Sequence, residues 1–252
     1  MYPHAWWAPV LVLVAAAASR GAARPAGEAE GLVWSDEFEG HALDETKWSH
    51  RCPGPRKGGV NVEEAVVLDG KGHLAITTRR VGDAFHTGMI GTQGKFERAF
   101  GYFECRVKFQ REIGHWSAFW LQTPHMGKFI GEPARGGCEI DILEYLRKRG
   151  DRVQHTLHWD GYGEHHKSAG HVHEVPGLGE GWHTVGLEWT REAYTFYVDG
   201  KEAWRTRQGL SHVPQYIILS LEVGDWAGDI RQAELPDSVL FDYVRVYERR
   251  PR

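Results

Sequence analysis

From Val60 onward the chain is a succession of short runs in which large apolar residues alternate with polar ones, the period-2 pattern of strands with one buried face. The runs predicted as strands are 64–68, 73–79, 87–92, 101–109, 117–122, 139–145, 153–159, 182–189, 193–198, 201–206, 215–223 and 239–247. Turns rich in glycine or proline separate them, and Asp199-Gly200 between two alternating runs is a two-residue hairpin signal. No long stretch holds a 3.6-residue period, so any helix is expected to be a short turn in a loop. About a dozen short strands without helices between them predict an all-β fold of two antiparallel sheets packed as a sandwich. Residues 32–48 mix strand and turn formers, and the domain is expected to span 31–248, followed by a tail at 249–252.

One run breaks its own pattern. Cys138-Glu139-Ile140-Asp141-Ile142-Leu143-Glu144-Tyr145 has the composition of a buried strand with three carboxylates set into it. Alternation puts Glu139 and Asp141 on one face and Glu144 on the other. One extra residue at Ile142-Leu143, absorbed as a β-bulge, returns Glu144 to the face of the other two acids. The two glutamates then start roughly 14 Å apart at their Cα atoms and must lean inward to act on one bond. Two carboxylates flanking a sugar can cleave a glycosidic bond, one attacking the anomeric carbon and one protonating the leaving oxygen. A third acid between them raises a neighbour's pKa or shares its proton. A bare E-x-D-x-x-E is also what an exposed acidic edge or a salt-bridge network looks like, and the three residues alone leave both readings open.

Ala5–Ala18 is an apolar run too short to span a bilayer, followed by the mostly small residues 19–23. Residues 1–23 are therefore expected to be a signal peptide, which implies a secreted, extracellular or periplasmic protein without stable membrane insertion after cleavage. Residues 24–30 are expected to be a flexible linker.

A formal charge of -4 and a pI near 6.4 supply no basic footprint for nucleic acid. Eleven Trp, nine Tyr and ten Phe provide faces on which sugars stack, although most aromatics in any chain are core. Three cysteines allow at most one internal disulfide, and their spacing fits no zinc module. Cys138, beside Glu139, reads as a small buried residue.

Seven blocks carry a family resemblance over nearly the whole chain after residue 30. They are Trp34 to Gly40, Thr87 to Ile90 with Thr92, Gly101 to Lys108, Trp116 to Leu121, the acidic run, Thr156 to Trp159, and Phe241 to Tyr247. In this order and spacing the sequence resembles glycoside hydrolase family 16, retaining endo-β-glycanases on a concanavalin-like β-jelly-roll. The resemblance implies Glu139 as nucleophile, Asp141 as its hydrogen-bonded assistant and Glu144 as general acid and then base. The extra residue at Ile142-Leu143 is similar to the bulged branch, which includes laminarinases and agar- and carrageenan-cleaving enzymes.

For substrate binding the resemblance implies Trp116 and Trp120 beside the acids, His158 in the cleft and Arg79 near the glycone side, with Trp159 and Trp226 as further stacking candidates. It implies no cofactor for catalysis but a structural calcium, with Glu37, the Gly70 carbonyl and Asp242 at its ligand positions. Leu219 to Trp226 departs from the laminarinase pattern, which usually has an Asn and a Gly-Gly pair there. His155, His158, His165, His166, His171 and His173 crowd one region, read as a polar cleft-side loop from Trp159 to His173 in preference to a metal site. The expectation is a monomeric endo-β-glycanase acting on polysaccharide, with β-1,3-glucan foremost. A β-galactanase for agar or carrageenan, a transglycosylase and a non-catalytic lectin-like domain are the rivals.

Overall fold

The computed structural model describes residues 31–251, so the expected signal peptide and linker lie outside the described residues. The described residues contain eighteen strands and one four-residue α-helix, Pro133–Gly136. The first eight strands are β1 (Leu32–Asp36), β2 (Ser49–His50), β3 (Gly54–Arg56), β4 (Gly59–Asn61), β5 (Val66–Leu68), β6 (Leu74–Val81), β7 (Ala84–Gly91) and β8 (Glu97–Arg98). Then come β9 (Gly101–Lys108), β10 (His115–Gln122), β11 (Cys138–Leu146), β12 (Arg152–Trp159) and β13 (Lys167–Glu174). The last five are β14 (His183–Trp189), β15 (Tyr194–Val198), β16 (Lys201–Thr206), β17 (Gln215–Val223) and β18 (Asp237–Tyr247).

They form a curved two-sheet sandwich of the jelly-roll kind. The back sheet runs β16-β15-β14-β9-β18, and the far side of β18 pairs first with β6 and then with β1. The cleft sheet runs β13-β12-β11-β10-β17-β7-β2. Every pairing is antiparallel except the short one of β4 beside β7. The alternation of each strand explains the core. Phe103, Val107, Leu187 and Phe241 from the back sheet meet Phe119, Ile140, Leu157 and Leu219 from the cleft sheet, all at 0% exposure.

The expected hairpin is present: Asp199 and Gly200 both have positive φ, 47° and 75°, as the primed turn between β15 and β16 requires. Gly137 turns the chain into β11 with φ 78°, and a Cβ there would lie 2.2 Å from Thr123 Cγ2, so only glycine fits. The stretch read as a loop from 159 to 173 is a loop only over 160–166. Residues 167–174 form β13, the edge strand of the cleft sheet, and the strand pattern is hidden because its inward positions include half-buried His171 and His173 while Val172 faces outward. All three cysteines are free, Cys105 and Cys138 in the core and Cys52 exposed. No helix among the described residues is long and apolar enough to cross a membrane.

The proposed calcium ligands are a correction. Glu37 accepts two hydrogen bonds from Arg245, at 2.9 and 2.6 Å, and Asp242 accepts one from Arg106 at 2.7 Å. Both carboxylates are thus neutralised by guanidinium groups on the back sheet, and the Gly70 turn packs against His41. Calcium needs a set of oxygens free to converge, so this donor set does not fit the ion.

Candidate active site

In β11 the bulge is where the acid spacing places it. Asp141 pairs with Thr156 and Glu144 with Gln154, so Ile142 and Leu143 together face the single residue His155. On the other side Phe119 pairs with Leu143 and Trp120 with Asp141, again passing over Ile142. Both Ile142 and Leu143 consequently enter the core, and Glu139, Asp141 and Glu144 share the opposite face.

These acids stand at the base of a cavity of about 540 Å³. Its floor follows from register. Trp116, Ala118, Trp120 and Gln122 are alternate residues of β10, and Ser220 and Glu222 are alternate residues of β17. Ala118 pairs with Glu144 on one side and Ser220 on the other, its methyl leaving room above. Trp120 is oriented by its indole N–H, which donates to Ser220 Oγ at 3.1 Å. The side walls come from the ribbon of β3 and β4, which brings Arg56 and Lys57, and from Tyr162 on the 160–166 loop. A neighbouring cavity of about 430 Å³, lined by Gly224, Asp225 and Trp226, shares Lys57 and Trp116 with the first.

The three carboxylates differ in their partners. Glu139 Oε2 accepts from Gln122 Nε2 at 2.9 Å and from the Tyr162 hydroxyl, while Gln122 also donates to Tyr162. Burial raises the Glu139 pKa against the opposing effects of the Tyr162 hydroxyl and Lys57. Glu144 accepts a single bond from Thr156 Oγ1 at 3.0 Å. Burial, aided by the charge of Glu139, pushes its pKa up to about 7. Asp141 is 5% exposed, and its Oδ2 has no hydrogen-bond partner among the described residues. Burial, then Glu144 and then Glu139, holds its pKa well above the usual carboxylate range, as expected of an acid that carries or shares a proton.

A row in which one carboxylate is held by two donors while another retains a proton near neutrality can supply a nucleophile and an acid to one bond. Glu139, Asp141 and His158 also form the one trio of possible metal-ligand atoms within 4.8 Å of one another among the described residues. Two of the three are members of the acid row itself, and the third is the β12 residue paired with Glu139.

Of the expected binding residues, Trp116 and Trp120 line the cavity and Trp226 lines its neighbour, edge-on to Trp116 at 5.2 Å. His158 pairs in register with Glu139, and its Nε2 lies 3.5 Å from Asp141 Oδ2, so it touches the acids rather than the open cavity. Two expectations are corrected. Trp159 is opposite Cys138, on the core face, and packs over Gly209 because alternation from His158 points it inward. Arg79 pairs with His86 in the hairpin of β6 and β7 and lines neither cavity, since that hairpin extends beyond the sheets. The crowded histidines also divide. His155 is buried in the core, His158 and His166 are stacked at the cleft, and His171 lies beside Trp204 near β16.

Sequence reasoning missed Gln122, Tyr162 and Glu222. Gln122 and Glu222 had a signal: each continues the cleft-facing alternation of a strand whose apolar residues were recognised. Tyr162 had none, being a single aromatic in a polar loop.

A family model described as glycosyl hydrolases family 16 matches residues 58–245. The keratan-sulfate endo-1,4-beta-galactosidase of Sphingobacterium multivorum is 29% identical over 234 residues, which cover 86% of this chain and 55% of that protein. Glucan endo-1,3-beta-glucosidase A1 of Niallia circulans is 25% identical over 270 residues, 89% of this chain and 39% of that one. The chain thus spans about half the length, or less, of these curated relatives. In structure it is similar to the catalytic domain of an endo-1,3-beta-glucanase (laminarinase) from Thermotoga petrophila RKU-1, with a TM-score of 0.74 and 27% identity, covering 86% of this chain and 97% of that one.

Proposed function

The chain belongs to glycosyl hydrolase family 16, and from that premise we propose that it is a secreted, retaining endo-β-glycanase that hydrolyses β-1,3-glucan. The observation that carries this reading is the bulged strand. It sets Glu144, holding a proton up to about pH 7, on the same face as a donor-held Glu139 at the base of the cavity. Relatives named as endo-1,3-β-glucanases support the choice of substrate. The apolar run Ala5–Ala18 supports export, and the catalytic unit is residues 31–248 acting as a monomer.

In the first half-reaction Glu139 attacks the anomeric carbon. The bond to the leaving oxygen breaks, and Glu144 gives that oxygen its proton, which leaves a glycosyl ester on Glu139. In the second, Glu144, now a carboxylate, takes a proton from water. The water oxygen attacks the same carbon and releases Glu139, restoring the starting state with net retention. Asp141, whose pKa burial raises, is the acid that shares a proton with the Glu139 carboxylate as its charge returns. Trp120 and Trp226, both half-buried, stack on sugar faces, while the buried Trp116 under Lys57 backs the wall between the cavities, and the open neighbouring cavity suits cleavage within a chain. No step requires a cofactor.

The test is product release from laminarin, mixed-linkage glucan, agarose, carrageenan and xyloglucan, with Glu139→Gln as the control. Laminarin oligosaccharides from the native protein and none from the variant are expected. Cleavage of a galactan alone would replace the substrate, and binding without cleavage of any polymer would remove the enzyme reading.

A further inference from the structure

Resting on the reading of Glu139 as the nucleophile, we propose that Tyr162 is a positioning residue for it, carried on a loop built to hold its hydroxyl against the carboxylate. Tyr162 is 60% exposed, so burial contributes little to fixing it where it stands. What fixes it is its polar end, which donates to Glu139 Oε2 and accepts from Gln122, itself a second donor to the same carboxylate oxygen. The three groups close a hydrogen-bonded ring that selects one rotamer of Glu139.

The loop is anchored independently of that contact. Asp160, 4% exposed and with φ 63°, accepts from the Gly131 amide at 2.9 Å and from Lys167 Nζ at 2.8 Å. Gly161 packs against Gly127 so closely that a Cβ would lie 3.3 Å from the Gly127 Cα. At its far end His166 Nε2 lies 2.9 Å from His158 Nδ1, and the other ring nitrogen of His158 is the atom 3.5 Å from Asp141 Oδ2. One seven-residue loop therefore holds Glu139 directly and, through His166, fixes the His158 ring that faces Asp141.

A phenol donating to a carboxylate stabilises its ionised form, which a nucleophile needs. The other groups acting on Glu139 come from elsewhere and stay in place when the hydroxyl is removed. Asp141 and Glu144 are on its own strand and His158 on β12. Arg56 and Lys57 are on the ribbon, and Tyr216 and Glu222 on β17.

The experiment is Tyr162→Phe, which keeps the ring and deletes the hydroxyl. Glu139 is titrated by NMR of carboxyl-13C glutamate, its resonance identified by its loss in Glu139→Gln. The expected result is a Glu139 midpoint raised by about one pH unit, the acid limb of kcat/KM on laminarin raised with it, and kcat lowered about tenfold at unchanged thermal stability. A midpoint that does not move overturns the proposal. A midpoint that moves without the acid limb supports the Tyr162 contact but removes Glu139 as the nucleophile. The carboxyl titration decides the role of Tyr162 even if no polymer is cleaved.

Discussion

Lys57 Nζ lies 2.6 Å from Oε2 of Glu222, whose other oxygen takes the guanidinium of Arg56. Glu222 is almost wholly buried at the end of β17, and Lys57 also lies 4.5 Å from the centre of the Trp116 ring. One carboxylate thus ties the ribbon of β3 and β4 to the floor of the cleft, at the wall the two cavities share. Glu222→Gln leaves two cations facing a neutral group. Both are partly exposed, so water relieves much of the penalty, and a loss of about 1–2 kcal/mol in urea denaturation is expected. The KM for polymer should rise several-fold as the wall loosens. Unchanged stability and KM would refute the tie.

His155 should give the protein a pH-dependent stability. Burial holds its pKa down to about 3, so the folded imidazole stays neutral while the unfolded one binds a proton near 6.5. Stability is therefore highest above pH 6.5 on this account and falls as pH drops through the interval, by about 2 kcal/mol between pH 7 and pH 5. His155→Gln, less stable at pH 7, should narrow its gap to the native protein by that amount at pH 5. The raised carboxylates bias the slope in the opposite sense, but they are common to both proteins, so the difference isolates the histidine. Parallel urea midpoints at the two pH values would contradict the assignment.

Glu144 sets the alkaline side of the activity profile. It must carry a proton to release the leaving group, so the rate should fall as pH rises through about 7. Glu144→Gln should lose about 10³-fold or more on polysaccharide but much less in the first step on an aryl glycoside whose leaving group needs no proton. With that substrate the alkaline limb should be gone. A limb that survives in the variant would assign it to another group.

Ala118 lies between Glu144 and Ser220 on the cavity floor, 4% exposed. Leucine there adds bulk to the cavity lining, where a sugar ring must sit. Ala118→Leu is expected to cut kcat/KM more than tenfold while shifting the thermal midpoint only slightly. Calorimetry and laminarin kinetics on one preparation check both halves.

The strands, the sandwich and the acid row were legible because burial on one face writes an alternating pattern, and one misplaced carboxylate exposes a bulge. β13 was not, since its inward positions hold His171 and His173 and its outward side exposes Val172, so polarity does not alternate with burial. Arg79 and Trp159 show how a resemblance can carry a residue type to a position without carrying its direction. Trp159 is the sharper case, for the rule that placed Glu139 and Asp141 together also turned it toward the core once β12 was paired opposite Cys138. The calcium positions held the acids the resemblance asked for, but Arg245 is so distant in sequence from Glu37, and Arg106 from Asp242, that only folding makes the neutralising pairs evident. Tyr162 reaches Glu139 across a loop, and no periodicity describes a loop.

Elsewhere in a strand, losing one residue inverts every side chain beyond the cut. At Ile142-Leu143 the ladder already counts two residues against one, so removing one there restores strict alternation and keeps Glu144 and everything after it on its present face. The damage stays local: one apolar side chain leaves the core, and the Nδ1 of His155, now 2.7 Å from the Ile142 carbonyl, must find another acceptor. The acid row thus has a single point at which its length changes without changing its parity. One codon therefore separates a shortened row from a lengthened one, with the three acids on a single face in both.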